Sequence, residues 1–222
     1  MSWFKVKLLM FDLDGTLLHT APQIAAAANL MLADLGRQPL PISQIQNYIG
    51  DGALVLIKRC LTQQKNTETE PALFVQAEAQ FFAHYAKNCL HSLPFYGVHD
   101  GLQTLHKGGY KLACVTNKPT QFTVPLLQKS GLADYFEMVV SGDTLEKKKP
   151  DPMQLQYICA KLGVVVADAL FVGDSNTDIA AARAAGCYIV TVPYGYNQGH
   201  IINADCVDAK IDNLKQLSTF LI

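Results

Sequence analysis

The sequence lacks an apolar stretch long enough to cross a bilayer. A membrane-spanning helix needs about 18 or more predominantly apolar residues, and no apolar run of this 222-residue chain reaches that length. The N-terminal stretch also lacks the pattern of a secretory signal, because Lys5 and Lys7 interrupt its apolar residues and Asp12 ends them. We therefore expect a cytoplasmic protein that does not bind membranes.

The sequence also has little excess charge and no paired cysteine motif. The formal net charge is -1, which gives no electrostatic basis for binding nucleic acid, since such binding needs a basic surface. The six cysteines form no Cys-x-x-Cys pair, so we expect reduced, mostly buried thiols rather than a zinc site or disulfides. Half of the residues are hydrophobic, which indicates a globular chain with one large domain or a core domain plus an insertion.

Short apolar runs alternate with amphipathic stretches from residue 93 onward. Predicted strands are 5–11, 110–117, 136–142, 169–174 and 187–193, and predicted helices lie near 98–108, 119–130, 151–162 and 176–186. Continuously apolar strands are typical of a parallel sheet that is covered on both faces. The alternation therefore predicts an α/β fold, a doubly wound parallel sheet of the Rossmann-like kind.

Residues 20–92 interrupt this alternation. Apolar residues recur there with helical spacing in three stretches, and no strand-like run lies between them. We therefore predict an α/β catalytic core domain formed by residues 1–19 and 93–222, and an all-helical cap domain formed by residues 20–92.

Polar side chains follow the predicted strands where the strands end. They are Asp12, Asp14, Thr116, Asn117 and Asp174, and Lys149 follows the strand 136–142 by a short loop. Alone, each group has an ordinary structural explanation: an Asp-Gly turn, a helix cap or a solvated lysine. Doubly wound sheets bind ligands at the carboxyl ends of their strands. The convergence of all six residues on that edge therefore predicts a single site.

Clustered carboxylates indicate a hard divalent cation, because they repel one another unless a cation joins them. An EF-hand calcium loop does not fit, since the sixth and twelfth positions counted from Asp12 are Leu17 and Gln23 rather than Gly and Glu. Magnesium, which shares its coordination with phosphate oxygens, fits better. The residues therefore predict magnesium-assisted phosphoryl transfer.

The residue types also suggest how the phosphoryl group is handled. Asp12 and Asp14 lie two residues apart and can point to the same side. One can attack phosphorus and the other can protonate the leaving oxygen. Lys149 can neutralise the transferring group, and Thr116 with Asn117 can donate hydrogen bonds to its oxygens. A non-catalytic receiver-like module would need neither the second carboxylate nor the helical insertion.

Four motifs resemble, in order and spacing, those of the haloacid dehalogenase superfamily, and residues 20–92 resemble the helical cap of its type-one members. The motifs are "DLDGT" (12–16), "VTNK" (115–118), "KKPDP" (148–152) and "VGDSNTD" (172–178). The stretches "YIGDGALVLIKRCL" and "YGYNQG" further resemble bacterial phosphoglycolate phosphatases. The resemblance implies a magnesium-dependent phosphomonoester hydrolase that forms an aspartyl-phosphate and cleaves 2-phosphoglycolate to glycolate and phosphate. Another small phosphorylated metabolite or sugar phosphate as substrate, or a β-phosphoglucomutase-like phosphosugar mutase, remains the alternative.

The resemblance also implies roles for individual residues. Asp12 is the expected nucleophile and Asp14 the general acid and base, with Thr116 and Lys149 completing the catalytic set. The expected phosphate-binding residues are Thr116, Asn117, Lys149 and Gly15. The expected Mg²⁺ ligands are Asp12, Asp14 through its backbone carbonyl, and Asp174, with Asp178 supporting them.

Two positions depart from the pattern, because His19 stands where Asp is common and Gln46 where Arg is frequent. With Gln46 at that position, the candidates for binding the carboxylate of the leaving group are Lys118, backbone N–H groups near "IGDG" and a protonated His19. The expected partner is a small phosphorylated metabolite, with no nucleic acid and no membrane, and the protein is expected to be a monomer or a homodimer.

Overall fold

A computed structural model describes residues 3–65 and 67–222. The strands of this part are β1 (Leu8–Phe11), β2 (Leu18–His19), β3 (Leu93–Pro94), β4 (Lys111–Val115), β5 (Met138–Val140), β6 (Ala169–Gly173), β7 (Tyr188–Thr191) and β8 (Ala209–Lys210). The α-helices are α1 (Ala21–Asp34), α2 (Ile42–Gln46), α3 (Ala53–Thr62), α4 (Pro71–Asn88), α5 (Val98–Lys107), α6 (Thr120–Lys129), α7 (Met153–Leu162) and α8 (Asn176–Ala185).

Six of the strands form one parallel sheet in the order β5-β4-β1-β6-β7-β8. Strand β1 lies in the middle of the sheet, paired with β4 on one side and β6 on the other. All four of its residues are buried, which explains why its sequence is continuously apolar. The predicted doubly wound α/β fold is confirmed.

Helices cover both faces of this sheet, and alternate side chains of β1 pack against the two helical layers. Leu9 and Phe11 belong to a buried cluster that includes residues of α5 and α6. Leu8 and Met10 belong to a second cluster that includes residues of α7 and α8. Neighbouring residues of a strand point to opposite faces of its sheet, so one short strand anchors two helical layers.

Helices α1 to α4 are inserted between β2 and β3, as the helical spacing of residues 20–92 predicts. Strands β2 and β3 form a separate antiparallel ribbon at the two ends of the insertion, with Leu18 opposite Pro94. The inserted helices share a buried cluster that also takes in Phe122 of α6 and Tyr196. We call residues 20–92 the cap segment; its separation from the core as a domain of its own stays a prediction.

The sequence pattern does not reveal the shortest elements. Strands β2, β3 and β8 have two residues each and α2 has five, which is too short for a recognisable period. The predicted strand 136–142 is reduced to Met138–Val140. No helix of the described residues is both long enough and apolar enough to traverse a bilayer.

Candidate active site

Three adjacent strands deliver polar residues to one edge of the sheet. Asp12, Thr116 and Asp174 directly follow β1, β4 and β6, which are neighbours in the sheet. All three are buried. The register places Phe11 beside Cys114 and Val172, so the three strands end at nearly the same level and the convergence predicted from the sequence occurs.

Lys149 reaches the same edge from the loop that follows β5. Its side chain is 3% exposed, and its Nζ lies 2.7 Å from Asp12 Oδ1 and 2.7 Å from Asp178 Oδ1. The ammonium also donates to the backbone oxygen of Val115 at 3.1 Å. Burial lowers the pKa of Lys149, but the two carboxylates outweigh burial and hold this pKa above the usual lysine range. The lysine is therefore a fixed positive charge beside Asp12.

The carboxylates of Asp12, Asp174 and Asp178 lie within 4.8 Å of one another. Burial raises the pKa of Asp12 to about 7, although Lys149 opposes the shift. Burial, together with Asp178 and Asp12, also raises the pKa of Asp174 well above its ordinary value. Asp174 accepts hydrogen bonds from the Thr16 hydroxyl at 2.9 Å and from the backbone N–H of Tyr196, and no lysine or arginine pairs with it within the described residues.

This donor set fits a divalent cation. Fully ionised, three carboxylates and one ammonium would carry two net negative charges in a buried group, a cost that the raised pKa values of Asp12 and Asp174 reflect and that a cation would remove. The oxygen donors of Asp12 and Asp174 are the ligand type that Mg²⁺ prefers. The acidic group is therefore suitable for Mg²⁺.

Asp178 differs from the other two acids because donors already surround its oxygens. It accepts from Ser175 Oγ at 2.7 Å, from the backbone N–H groups of Asp174 and Ser175 at 3.1 Å each, and from Lys149. The bond from the Ser175 N–H, together with the bond from the Asp178 N–H to Ser175 Oγ at 3.3 Å, forms the capping box of α8, which satisfies free N–H groups at the start of that helix. Asp178 thus fixes the loop that carries Asp174, as expected for a supporting residue.

Asp14 has a lysine of its own. Its Oδ1 and Oδ2 lie 2.9 and 3.2 Å from Nζ of Lys118, and Lys118 is 6% exposed. Burial lowers the pKa of Lys118, but Asp14 and Tyr85 together outweigh burial and raise this pKa above the usual range. The two carboxylates of the first motif therefore have different partners: Asp12 pairs with Lys149, and Asp14 pairs with Lys118.

The other predicted phosphate-binding residues hold the loops together in this structure. The side-chain amide of Asn117 donates to the backbone oxygens of Gly50 at 2.9 Å and Lys149 at 2.8 Å. The N–H of Gly15 donates to Leu18 O at 3.0 Å. Gly15 has a φ of +89°, and a Cβ atom there would overlap the carboxylate of Asp174. Phosphate binding by Asn117 and Gly15 stays a prediction, and their observed contribution is to loop shape.

Backbone donors at the strand ends complete the edge. The N–H groups of Leu13, Asp14 and Asn117 donate no hydrogen bond within residues 3–65 and 67–222. Together with the buried Thr116 hydroxyl they can receive the oxygens of an anion. Sequence analysis did not identify these N–H groups, because residue type does not reveal a free backbone donor.

A small cavity of about 50 Å³ opens beside Asp12 and Asp14. Polar residues from the strand ends and apolar residues from the cap segment line it: Ile24, Ile49, Leu56, Phe81, Phe82 and Tyr85 form much of the apolar part. His19 and Gln46 do not line this cavity. His19 is exposed and its Nδ1 lies 2.7 Å from the hydroxyl of Tyr196, while Gln46 lines a different cavity near Tyr196.

Sequence comparison identifies relatives of this chain. Residues 9–192 match the family model described as haloacid dehalogenase-like hydrolase. The chain is 50% identical to a phosphoglycolate phosphatase of Thiobacillus denitrificans, over 95% of this chain and 93% of that protein. It is 47% identical to a phosphoglycolate phosphatase of Nitrosospira multiformis, over 97% and 96% of the two chains.

Comparison with solved structures points to the same group of proteins. The crystal structure of a predicted phosphoglycolate phosphatase from Haemophilus somnus superposes with a TM-score of 0.91 at 35% identity, and 97% of each chain is covered. The chain belongs to the haloacid dehalogenase-like hydrolase family. Within that family it is an enzyme similar to the phosphoglycolate phosphatases, which are phosphoric monoester hydrolases.

Proposed function

We propose that the protein is a magnesium-dependent phosphomonoester hydrolase that forms an aspartyl-phosphate on Asp12 and acts on 2-phosphoglycolate. The observation that carries the proposal is the pair of carboxylates beside one cavity, each held by a lysine of its own. A nucleophile and an acid need different environments: Asp12 lies in the buried acidic group with Asp174 and Asp178, whereas Asp14 lies outside that group and faces Lys118.

Asp12 and Asp14 divide the chemistry between them. An oxygen of Asp12 attacks phosphorus while the bond from phosphorus to the ester oxygen breaks, and Asp14 gives that oxygen a proton. Water then attacks phosphorus and gives a proton to Asp14, and the bond from phosphorus to Asp12 breaks. Lys149 and the free N–H groups of Leu13 and Asn117 stabilise the negative charge on the phosphoryl oxygens.

Mg²⁺ would be held by the side chains of Asp12 and Asp174 and the backbone carbonyl of Asp14, supported by Asp178. Bound there, it would neutralise the carboxylates and polarise a phosphoryl oxygen. The proximity of the three buried carboxylates and the raised pKa values of Asp12 and Asp174 support this assignment.

The names of the relatives and the small size of the cavity support 2-phosphoglycolate as the substrate. The curated relatives at 50% and 47% identity carry the name phosphoglycolate phosphatase. The cavity is small and its cap side is apolar, which suits a compact ligand whose binding energy comes from its charged ends. A sugar phosphate, another small phosphorylated acid or a phosphosugar mutase reaction is the alternative.

The cap segment acts as a lid over this cavity and keeps bulk water and large substrates away. It is proposed to form a domain separate from the core of residues 1–19 and 93–222. We also propose that the protein works in the cytoplasm as a monomer or homodimer; all six cysteines lie in the described part and are free, which suits a reducing compartment.

A phosphate-release panel with Mg²⁺ or with EDTA tests the proposal. 2-Phosphoglycolate is expected to give the highest kcat/KM, EDTA to abolish release and Mg²⁺ to restore it. A sugar phosphate whose kcat/KM is at least tenfold higher than that of 2-phosphoglycolate, about 1.4 kcal/mol of transition-state preference, would refute the proposed substrate. It would not contradict the proposed phosphatase reaction. Isomerisation of a phosphosugar without net phosphate release would indicate a mutase, and full activity of metal-free protein would refute the metal.

A further inference from the structure

We propose that Lys118 binds the carboxylate of the substrate and thereby selects phosphorylated acids over uncharged phosphate esters. This inference rests on the proposed function, because it assigns a partner to the non-reacting end of 2-phosphoglycolate.

Lys118 is the cationic side chain of the cavity wall. Of the residues that line the cavity, only Lys118 is a lysine, arginine or histidine. It stands between the acids of the strand ends and the apolar residues of the cap segment. A carboxylate that enters an apolar space needs a charged partner, since its desolvation is otherwise costly.

The ammonium of Lys118 has capacity for a second anion. It carries three N–H donors, and its hydrogen bonds within the described residues all go to the carboxylate of Asp14. At least one N–H therefore donates to no carboxylate or carbonyl oxygen in this part of the chain, where the further neighbour of the ammonium is the ring of Tyr85, and the residue is only 6% exposed. A ligand carboxylate would give this N–H a stronger, charged acceptor.

Aromatic packing fixes the position of this ammonium. Nζ lies 4.7 Å from the centre of the Tyr85 ring, a distance typical of a cation–π contact. The Tyr85 ring stacks on Phe81 at 5.7 Å and meets Phe122 edge-on at 5.0 Å. Tyr85 is thus a positioning residue that holds Lys118 from the cap side.

The covalent structure of the substrate brings its carboxylate to this place. In 2-phosphoglycolate a single methylene group separates the ester oxygen from the carboxylate. Asp14 is the residue that gives the ester oxygen its proton, and Lys118 Nζ lies 2.9 Å from Asp14 Oδ1. A substrate whose ester oxygen meets Asp14 therefore has its carboxylate beside Lys118, while its phosphoryl group meets Asp12 and Lys149.

Two other basic residues near the cap segment, Arg59 and His19, are less suited to this role. Arg59 is paired with Asp51 at 2.6 Å and donates to Tyr48 O at 3.2 Å. His19 is exposed and contacts Tyr196. Neither lines the cavity.

Lys118→Met tests the proposal through two ligand pairs that differ only in the carboxylate. The substrates are 2-phosphoglycolate and ethyl phosphate, and the inhibitors of p-nitrophenyl phosphate hydrolysis are their phosphonate counterparts, 3-phosphonopropionate and propylphosphonate. A charged hydrogen bond is worth about 10- to 100-fold in binding. Loss of the Asp14 partner lowers kcat for both substrates, so the ratio of kcat/KM for 2-phosphoglycolate to kcat/KM for ethyl phosphate is the quantity that should fall by that factor. The Ki of 3-phosphonopropionate should rise by the same factor, and the Ki of propylphosphonate, whose binding needs no proton transfer, should change less than about threefold.

Lys58→Met is the matched control. Lys58 also pairs with a carboxylate, Glu68 at 2.6 Å, and lies over an aromatic ring, Phe74 at 5.4 Å, but it does not line the cavity. All four constants should match wild type. If Lys118→Met does not fold, Lys118→Gln removes the charge while keeping a donor for Asp14.

An equal loss for both members of each pair would mean that Lys118 acts only through Asp14, which overturns the proposal. Unchanged discrimination in the Lys118 variants would also overturn it. Wild-type protein that prefers a sugar phosphate over 2-phosphoglycolate contradicts the proposed substrate instead, and the inhibitor pair then still decides whether Lys118 recognises a carboxylate.

Discussion

The different partners of Asp12 and Asp14 lead to different expectations for their amide variants. Asp12→Asn loses the nucleophile, so no phosphoenzyme forms with any substrate. Asp14→Asn keeps the nucleophile and loses proton transfer, which lowers the rate by roughly 10²–10⁴ for alkyl phosphates. The loss is smaller for p-nitrophenyl phosphate, because its leaving group needs little protonation. Acid-quench trapping of labelled phosphate and initial rates measure both effects; equal residual activity, or label on another residue, would contradict the assignment.

Side-chain chemistry at strand ends is what the sequence reveals about this site. Asp12, Thr116 and Asp174 are recognisable because each follows a buried apolar run. The N–H of Tyr196, which contacts Asp174, is not recognisable, because it comes from a loop 22 residues further along the chain. The pairing of Asp14 with Lys118, 104 residues apart, likewise depends on how two loops meet.

The turn between β1 and β2 requires glycine for two reasons, and a matched variant separates them. Gly15 has a φ of +89°, and Gly163, which ends α7, has a φ of +65°. An added Cβ atom meets nothing within 4 Å at Gly163 but overlaps Asp174 and Tyr196 at Gly15. Gly163→Ala should therefore cost only the backbone strain, about 1–2 kcal/mol, and keep activity. Gly15→Ala should cost more and lower phosphate release at least about tenfold, since it displaces Asp174.

Urea unfolding and phosphate release of the two glycine variants measure this difference. Equal stability losses with equal activity would mean that the turn adapts to a side chain. At the scale of elements, the core strands were predictable because each is a continuous apolar run, and the long helices because each spans several turns of its apolar spacing. The ribbon β2–β3 was not, because it depends on two segments meeting at the ends of the insertion.

Across the whole molecule, a few polar contacts join the cap segment to the core: the Ala21 N–H donates to the Tyr196 hydroxyl at 3.2 Å, Lys65 meets His200 at 3.2 Å, and the others lie around one loop. Asp51 accepts from Thr177 Oγ1 at 3.1 Å and from Gln198 Nε2 at 2.9 Å, and Asn117 donates to Gly50 O. The inserted helices otherwise pack mainly on one another, with Phe122 and Tyr196 joining their cluster. Few polar contacts would have to break for the cap segment to move, which suits the proposed lid.

The buried acidic group couples the stability of the protein to pH and Mg²⁺. Asp12 has a pKa of about 7 in the folded protein against an ordinary value of 3.8. The folded state therefore binds more protons than the unfolded state between these values. The contribution of the protonated Asp12 carboxyl to the free energy of unfolding is complete below about pH 3.8 and is lost as the pH rises through about 7. Mg²⁺ competes with the proton for the same oxygens.

Addition of Mg²⁺ should consequently raise the melting temperature more at about pH 8 than at about pH 5.5, because the cation has few protons to displace from the Asp12 carboxyl at the higher pH. Thermal unfolding followed by circular dichroism, with EDTA or with Mg²⁺ at each pH, measures the difference. Asp12→Asn should flatten the pH dependence of the metal-free protein and remove most of the Mg²⁺ effect, since it replaces the titrating ligand. An Mg²⁺ shift of the same size at both pH values would show that the cation does not bind at the carboxylate of Asp12.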